Sequence, residues 1–338
     1  MQERKTLLES LPDFQQKLKS HPEAMVEIAG KAYSINPWFT EEFVRLAMDA
    51  IAEKFLDKEA CERWLQSYPP LNDNAKSIAI VMAGNLPLVG FHDLFCVLMS
   101  GHRAIVKPSD KDAVLLPWLV HQWSSVVPSL KDRIQFVEKL EQFDAVIATG
   151  SNNSSRYFDY YFRKYPHILR RNRNGVAVLT GNESVDDLKL LAKDFFLYFG
   201  LGCRNVSRVY VPVGYDFYQW EEAVADWAYL ADHHKYRNNL EYNYALYIIN
   251  NLPHRNLGSI ILKEDEAIAS RIGTLHYSHY SSLAELTYDL QQHRDEIQCV
   301  VSSTPLEGWE HIAFGESQQP LLHQYADGVD TMAFLSTL

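Results

Sequence analysis

Hydrophobic residues recur at helical spacing through the first part of the chain. Residues 41–51 repeat apolar side chains every three or four positions, and Thr40 precedes them as a helix cap. A stretch rich in proline, asparagine and aspartate at 68–74 then interrupts this spacing. The pattern therefore predicts a helical N-terminal segment over residues 1–72.

After this break, short β-branched runs alternate with helical segments. The predicted strands are residues 78–82, 104–107, 145–148, 176–180, 208–213, 259–262 and 298–302. Alternation of this kind is typical of parallel, doubly wound sheets with helices on both faces. We therefore predict an α/β fold with two doubly wound parallel-sheet domains, one over 73–180 that is completed by 303–338 and one over 181–302.

Composition and charge exclude several classes of function. The chain has 338 residues with 47% hydrophobic and 22% charged content, which is typical of globular proteins. Its net charge of -11 argues against a general nucleic-acid binder. The N-terminus lacks the apolar core of a signal peptide, and polar residues interrupt the most apolar window at 78–100, so no membrane span is predicted. The four cysteines lie far apart without metal-ligand spacing, so we expect free thiols, no metal site and a cytoplasmic protein.

One cysteine lies in a glycine-containing turn between a predicted helix and a predicted strand. The helix is expected over 186–199, the turn is residues 200–203 (GLGC), and the strand follows at 208–213. Glycines let the backbone approach a bound ligand closely. A thiol in such a turn can attack a carbonyl carbon, which makes Cys203 a candidate nucleophile. The alternative is a small apolar residue that only fills the loop.

Three predicted strands end in polar loops, and ligands bind at the carboxyl ends of strands in doubly wound sheets. Asn85 follows the first strand, where its amide can donate to an oxyanion or simply shape a turn. Lys107 ends the second strand, where it can bind ribose hydroxyls and phosphate or be solvated. Gly150 and Ser151 stand between the third strand and a helix, which suits a phosphate but is also common in ordinary turns.

In their order along the chain, these loops and the cysteine resemble the aldehyde dehydrogenase superfamily. Asn85-Leu86-Pro87 is similar to the W-N-F-P loop that holds the oxyanion asparagine, and Lys107-Pro108-Ser109-Asp110 is similar to the K-P-S-E ribose-binding segment. Gly150-Ser151 resembles the F-T-G-S turn beside the cofactor phosphates. Residues 200–203 stand where the family has G-Q-x-C, so the resemblance implies that Cys203 is the nucleophile.

Two later segments extend the resemblance to about residues 75–320. Glu266-Ala267-Ile268 resembles E-x-F, whose glutamate holds the nicotinamide ribose, and Phe314-Gly315-Glu316 resembles the late F-G-G. The resemblance implies an aldehyde dehydrogenase-like fold with a nucleotide-binding domain at 73–180 and a catalytic domain at 181–302. It also implies that Lys107, Ser109, Gly150, Ser151 and Glu266 bind the cofactor.

The chain departs from the family at the residue that activates water. Hydrolytic members carry a glutamate in E-L-G-G about thirty residues before the cysteine, whereas residues 169–175 read LRRNRNG and contain no carboxylate. Glu183 follows, where we expect it to open the next helix. A thioester on Cys203 is not readily hydrolysed without a base. Exchange with the thiol of coenzyme A needs none, and this is typical of acylating members.

Within that group, the segments RNRNGVAVLTGNE, YFGLGCRNVSRVYVP and YADGVDTM resemble the fatty acyl-CoA reductases of the bacterial bioluminescence type. This resemblance implies reduction of an acyl-CoA, or another acyl thioester, to the aldehyde. NADPH is the implied reductant, with NADH as the alternative, and coenzyme A is the leaving group. A homo-oligomer or a partner acyl-transfer subunit is consistent with it.

Two other functions stay open at this point. One is an aldehyde-oxidising dehydrogenase of the same superfamily, against which the missing glutamate speaks. The other is a catalytically idle protein that binds nucleotide as a scaffold. The presence of Asn85, Lys107 and Cys203 together argues against the idle scaffold, since such a protein has no need of its nucleophile.

Overall fold

The computed structural model describes residues 2–69, 74–150 and 152–338. The chain folds into two compact units. We call Met1–Asn172 together with Pro320–Leu338 unit 1, and Arg173–Gln319 unit 2. Each unit is built around one sheet.

Helices and strands alternate along most of the chain. The helices are α1 (Gln2–Ser20), α2 (Pro22–Ile35), α3 (Glu41–Ala50), α4 (Lys58–Leu65), α5 (Phe91–Met99), α6 (Leu115–Val126), α7 (Asn152–Phe162), α8 (Val185–Phe196), α9 (Trp220–Val224), α10 (His234–Ile249), α11 (Leu283–Gln292) and α12 (Thr331–Ser336). The strands are β1 (Ser77–Val81), β2 (Arg103–Lys107), β3 (Ile134–Phe136), β4 (Ala145–Thr149), β5 (His167–Arg170), β6 (Asn174–Val178), β7 (Val206–Pro212), β8 (Arg255–Asn256), β9 (Ile261–Glu264), β10 (Thr274–Tyr280) and β11 (Ile297–Ser302).

The sheet of unit 1 has five parallel strands in the order β3-β2-β1-β4-β5. This is a doubly wound order, and the chain reverses its direction of winding between β1 and β4. The predicted strands at 78–82, 104–107 and 145–148 correspond to β1, β2 and β4. The prediction missed β3 and β5, which are edge strands of three and four residues. Strands this short give little periodicity to detect.

The N-terminal helices share one hydrophobic core with this sheet and its helices. In one contact of this core, Phe14 of α1 stacks on Trp123 of α6 with the ring centroids 5.2 Å apart. The predicted cap of α3 is confirmed, because the Thr40 hydroxyl accepts a hydrogen bond from the N–H of Phe43 at 3.3 Å. The predicted helical segment is therefore not separate from the first α/β domain in its packing.

Residues 320–338 also belong to unit 1. Tyr325 forms one set of contacts between this segment and the N-terminal helices. The indole N–H of Trp64 donates to the Tyr325 hydroxyl at 2.8 Å, and the Tyr68 hydroxyl lies 2.6 Å from the same oxygen. The sequence predicts that 303–338 complete the first domain, whereas 303–319 lie in unit 2. Among the residues that the structure describes, no helix combines the length and apolarity needed to cross a membrane.

The sheet of unit 2 has six strands in the order β11-β6-β7-β10-β9-β8, all parallel except for the short pair β8–β9. The strand predicted at 176–180 was assigned to the first domain, but its counterpart β6 pairs with β7 and β11 in this second sheet. The spacing of apolar residues reveals that a strand exists, but its partners depend on contacts between distant segments.

β10, a central strand of unit 2, was not predicted, because its sequence TLHYSHY is largely polar. Thr274, His276 and Ser278 are nevertheless buried. The buried guanidinium of Arg208 on β7 donates to the Ser278 hydroxyl from Nε at 3.0 Å and from Nη2 at 2.7 Å. Hydrogen bonds of this kind let polar side chains occupy a sheet interior at little cost.

Candidate active site

Two of the predicted site loops meet at the carboxyl edge of the first sheet. The Asn85 loop follows β1, the Lys107 segment ends β2, and these strands are neighbours. A Cβ atom placed on Gly84 would lie 2.4 Å from the Ser109 hydroxyl, so the two loops pack with no room for a side chain between them. The Asn85 side chain is exposed at this edge. The first sheet thus brings Asn85 and Ser109 into one region.

The Asn85 loop turns through a strained residue that a buried carboxylate holds. Leu88 has a φ of 58°, which is uncommon for a residue with a side chain. Its N–H donates to the Asp112 carboxylate at 2.9 Å. Burial raises the pKa of Asp112 to about 6. Asp112 is not recognisable in the sequence, because nothing in its local sequence distinguishes it from a solvated aspartate.

The predicted cofactor residues of unit 1 offer donors of the kind that a dinucleotide needs. The Lys107 ammonium is exposed and donates to the backbone oxygen of Glu138 at 3.0 Å, which leaves two of its N–H groups for other acceptors. The Ser109 hydroxyl accepts from the N–H of Lys111 at 3.3 Å. Gly150 follows β4 directly, next to the point where the winding reverses. Ser151 lies outside the described residues.

The Cys203 turn of unit 2 follows a helix that ends earlier than predicted. We expected the helix to run over 186–199, but α8 ends at Phe196 and a distorted 3-10 turn, Leu197–Gly200, follows. Tyr198 and Phe199 have φ values of 55° and 56°, and Gly200 has 73°. A residue with a side chain that adopts left-handed backbone angles lowers the stability of the fold by about 1–3 kcal/mol. The turn before the cysteine is therefore held by tertiary contacts against its local preference.

Asn205 is the residue that ties this turn to the end of α8. Its side-chain oxygen accepts from the N–H of Gly202 at 2.7 Å. Its amide group donates to the backbone oxygens of Asp194 and Leu197 at 3.0 and 2.9 Å. This role of Asn205 was not predicted, although asparagine is a typical turn-forming residue and Asn205 lies two residues after the cysteine.

A buried carboxylate on α8 holds a second loop beside the Cys203 turn. Asp194 accepts hydrogen bonds from the N–H groups of Gly315 at 2.6 Å and Ser317 at 2.9 Å. The Arg204 guanidinium then donates from Nε to the Ser317 backbone oxygen at 2.6 Å. The structure therefore places the segment that resembles F-G-G next to the cysteine turn. Asp194 lies three residues after Leu191, on the apolar face of the helix. A charged residue on an apolar helix face is unusual, and this could have indicated a buried, hydrogen-bonded carboxylate from the sequence.

Cys203 is the most accessible of the four cysteines. Its side chain is half-buried, whereas those of Cys61, Cys96 and Cys299 are buried. Burial raises the pKa of Cys61 and of Cys299 to about 12, and that of Cys96 well above its ordinary value. The thiolate is the nucleophilic form of a cysteine, so these three are poor nucleophiles.

Glu266 lies in unit 2 just after β9, and its side chain is exposed. Its backbone oxygen accepts from Nη1 of Arg208 at 2.5 Å, and the Ser207 hydroxyl donates to the Ile268 backbone oxygen at 2.6 Å. Both donors lie on β7, the strand that follows the Cys203 turn. β7 begins just after the Cys203 turn, and its side chains hold the segment that carries Glu266.

Residues 169–175, which contain no carboxylate, include a buried arginine, Arg170. Arg170 in unit 1 donates to the Asp93 carboxylate at 2.5 Å and to the Thr331 hydroxyl at 2.8 Å. A guanidinium stays protonated in proteins and cannot act as a base. Glu183, in unit 2, accepts from the N–H groups of Thr180 and Gly181 at 2.7 and 2.9 Å. It therefore stabilises the turn before α8 rather than opening the helix, which Ser184 caps instead.

The described residues contain no group of three or more His, Cys, Asp or Glu side chains that could hold a metal ion. A groove of about 550 Å³ does lie in unit 2, against the exposed face of α8. Its lining includes Lys189, Lys193, Trp227 and Tyr229, and it contains none of the predicted site residues.

No family model matches the sequence, and no curated protein matches it. Solved structures do match the fold. A double mutant of betaine aldehyde dehydrogenase from Staphylococcus aureus, in complex with NAD⁺ and with a BME-modified cysteine, is similar with a TM-score of 0.61 and 14% identity, over 88% of this chain and 72% of that one. This is the aldehyde dehydrogenase fold.

Two further aldehyde dehydrogenases support this conclusion. Lactaldehyde dehydrogenase from Escherichia coli has a TM-score of 0.59 and 14% identity, over 89% of this chain and 75% of that one. A cysteine-to-alanine mutant of the P. syringae indole-3-acetaldehyde dehydrogenase, in complex with NAD⁺ and IAA, has a TM-score of 0.64 and 12% identity, over 90% and 72%. At such low identity the likeness establishes the fold alone.

Proposed function

We propose that the protein is a nicotinamide-dependent oxidoreductase that reduces an acyl thioester to an aldehyde, with Cys203 as the nucleophile. The observation that carries this proposal is the Cys203 turn in an aldehyde dehydrogenase fold, together with residues 169–175, which contain no carboxylate in the region where the resemblance expects one. Cys203 is half-buried, whereas Cys61, Cys96 and Cys299 are buried.

The residues of unit 1 fit a nicotinamide dinucleotide. Lys107 and Ser109 supply an ammonium and a hydroxyl at the carboxyl edge of the parallel sheet, and Gly150 supplies backbone N–H next to the reversal point. Anionic dinucleotides bind at this place in doubly wound sheets. In unit 2 we assign Glu266 to the nicotinamide ribose. The NAD⁺ in two of the similar structures supports this choice of cofactor.

In the first half of the proposed reaction, the Cys203 thiolate attacks the carbonyl carbon of the thioester, and the π electrons move to oxygen. We assign the Asn85 amide and the Cys203 backbone N–H as donors to this oxyanion, and one such donor contributes about 3–4 kcal/mol. As the oxygen electrons return, the bond to the sulfur of coenzyme A breaks and its thiolate leaves. The product of this half is an acyl group on Cys203.

In the second half, the same two donors stabilise a second oxyanion. A reduced nicotinamide supplies the hydride that adds to the acyl carbon when it is bound. Collapse of the resulting thiohemiacetal anion breaks the carbon–sulfur bond, which releases the aldehyde and restores the Cys203 thiolate. One thioester, one hydride and one proton thus give one aldehyde and one free thiol.

The absence of a carboxylate from residues 169–175 favours the reductase over an aldehyde-oxidising dehydrogenase. Hydrolysis of an acyl-cysteine needs a base to take a proton from water. Arg170 cannot serve, and its guanidinium is engaged by Asp93 and Thr331. An acyl group on Cys203 is therefore expected to persist until a thiol or a hydride reaches it.

The finer assignment to fatty acyl-CoA and to NADPH rests on the resemblance of the segments around Cys203 to bioluminescence-type reductases. NADH stays the alternative reductant, because the exposed Asp110 carboxylate would repel a 2′-phosphate. A homo-oligomer or a partner acyl-transfer subunit belongs to the same proposal.

The decisive test follows the absorbance of NADPH and, separately, NADH with acyl-CoA thioesters of increasing chain length. Wild type should oxidise one of the reductants, Cys203→Ala should not, and Cys61→Ala is the matched control because it removes a buried cysteine of unit 1. Absence of oxidation with every thioester and both reductants would contradict the proposal.

The reverse direction separates the reductase from the dehydrogenase. Aldehyde and oxidised nicotinamide are mixed with and without coenzyme A. We expect reduction of the nicotinamide only when coenzyme A is present, because the acyl group on Cys203 then has an acceptor. Equal rates without coenzyme A would show that water is the acceptor and would favour the aldehyde-oxidising enzyme.

A further inference from the structure

The two chain neighbours of Cys203 are both tied to one buried residue of α8. On one side, the Gly202 N–H is held at 2.7 Å by Asn205, whose amide donates to the Asp194 backbone oxygen at 3.0 Å. On the other side, Arg204 donates to the Ser317 backbone oxygen at 2.6 Å. The N–H of Ser317 in turn donates to the Asp194 carboxylate at 2.9 Å. Both paths therefore end at Asp194.

Three members of this arrangement are buried, and Arg204 is half-buried. The exposed fractions are 0% for Asp194, 1% for Asn205 and 0% for Ser317. Hydrogen bonds shielded from water are stronger electrostatically than exposed ones, and a broken one leaves an unsatisfied buried group. The bonds around Cys203 consequently resist rearrangement.

The turn needs such support, because the segment that leads into it has an unfavourable conformation. Tyr198 and Phe199 adopt left-handed backbone angles just before it. A nucleophile must also be held close to the productive geometry, since a displacement of about 1 Å can reduce the rate by about a hundredfold. A residue that fixes both sides of the turn would therefore control the reaction without touching the substrate.

We propose that Asp194 is a positioning residue for the Cys203 thiol. Its carboxylate acts through Ser317 and Arg204 on one side of the turn. Its backbone oxygen, which any residue at this position would supply, accepts from Asn205 on the other side. This inference rests on the proposed function only in taking Cys203 as the nucleophile. The hydrogen bonds themselves can be tested without any assay of activity.

The test uses Asp194→Asn in the full chain. The N–H groups of Gly315 and Ser317 bond different oxygens of the carboxylate. Asn replaces one of these oxygens by an NH₂ group, so in the same geometry one of the two N–H groups loses its acceptor. Amide hydrogen exchange is measured over peptides that cover 200–205 and 313–318. We expect exchange there to become about tenfold faster, which corresponds to about 1.4 kcal/mol of lost protection.

Asp112→Asn is the matched control, because it also removes a buried carboxylate that holds a backbone N–H. It should accelerate exchange around 84–88 and leave 200–205 unchanged. With the thioester that wild type prefers, Asp194→Asn should lower kcat by about tenfold to a hundredfold with KM nearly unchanged, since binding groups stay in place.

A milder variant covers the case in which Asp194→Asn does not fold. Arg204→Lys keeps the positive charge but removes the Nε donor to Ser317, and the Arg204 side chain is only half-buried. It should accelerate amide exchange over 200–205 and lower kcat, both to a smaller degree than Asp194→Asn.

The outcomes distinguish this inference from the proposed function. Faster exchange over 200–205 in Asp194→Asn but not in Asp112→Asn supports the positioning role, even if no thioester is a substrate. Unchanged exchange over 200–205 in folded Asp194→Asn and in Arg204→Lys would overturn it. Faster exchange with wild-type kcat on an accepted thioester would also overturn it, because the thiol would then not depend on these bonds.

Discussion

The candidate loops of the two units are built in opposite ways. In unit 1 the Asn85 loop and the Lys107 segment follow their strands, and the parallel sheet itself brings them together. In unit 2 the Cys203 turn precedes its strand, and it follows a helix that ends in a left-handed turn. The turn keeps its shape through Asn205 and Asp194, which lie on either side of it in the chain.

The difference shows two ways to fix a reactive group. A loop at the end of a parallel strand inherits its position from the neighbouring strands, so few side chains are needed to hold it. A strained turn needs buried hydrogen bonds from several directions. Both units nevertheless use a buried aspartate that accepts backbone N–H bonds, Asp112 in unit 1 and Asp194 in unit 2.

The largest expected effects compare the two reactive groups themselves. Cys203→Ala should abolish turnover, because it removes the atom that carries the acyl group. Asn85→Ala should lower kcat by about 10²–10³-fold, since the backbone N–H donor to the oxyanion remains. Steady-state oxidation of the reduced nicotinamide measures both.

Asn85→Asp is the informative control for this pair, because it keeps the size of the side chain but repels an oxyanion. Its kcat should be no higher than that of Asn85→Ala. An Asn85→Ala variant with wild-type kcat would show that unit 1 does not contribute to the oxyanion, and the assignment would be withdrawn.

A smaller effect, on thermal stability, is expected at the glycines of these loops. Gly84 is needed because there is no room for a side chain, and Gly200 because its backbone is left-handed. Gly84→Ala forces a Cβ atom to 2.4 Å from the Ser109 hydroxyl, and such overpacking costs about 1–3 kcal/mol. Gly200→Ala places a Cβ in a left-handed conformation with a φ of 73°, which costs about 1–2 kcal/mol. Thermal unfolding detects both, because 1 kcal/mol shifts Tm by about 2–4 °C in units of this size.

A second substitution at each loop distinguishes a loss of stability caused by a steric clash from one caused by backbone conformation. Ser109→Gly in the Gly84→Ala background should recover part of the lost stability, because it removes the atoms that clash. Replacing Gly200 by Asn, which tolerates the left-handed region, should cost less than replacing it by Ala. The comparison fails if Ser109→Gly recovers nothing.

The smallest expected effect is a pH dependence shared by both units. Burial raises the pKa of Asp112 and of Asp194 to about 6, so each carboxyl binds its proton more tightly in the folded than in the unfolded chain. Stability from these groups therefore rises as the pH falls through 6 towards the unfolded pKa of about 3.9. Relative to Asp194→Asn, wild type should gain about 1 kcal/mol between about pH 7 and pH 5.

Differences in Tm between wild type and each Asn variant, measured across this pH range, test the prediction. Taking differences cancels the contribution of all other titrating groups. A difference that is constant with pH for Asp194→Asn but not for Asp112→Asn would show that only the carboxylate of unit 1 has a raised pKa.

The candidate site residues were identified because they stand beside strong local signals, and their roles stay predictions. Asn85 and Lys107 follow apolar runs that are recognisable as strands, and Cys203 stands between two glycines and a strand. The supporting residues gave weaker signals. Asp112, Asp194 and Asn205 are ordinary polar residues in sequence, and their roles depend on which backbone groups are buried against them.

The sequence alone determined the alternation of strands and helices, the doubly wound class of fold and the positions of the polar loops, because these follow from periodicity and glycine content over a few residues. Only the tertiary structure decided that β6 pairs in the second sheet, that polar β10 is a central strand, and that α8 ends before Leu197. The physical reason is that strand partners, buried polar groups and strained turns are stabilised by contacts between residues far apart in the chain, which no local pattern records.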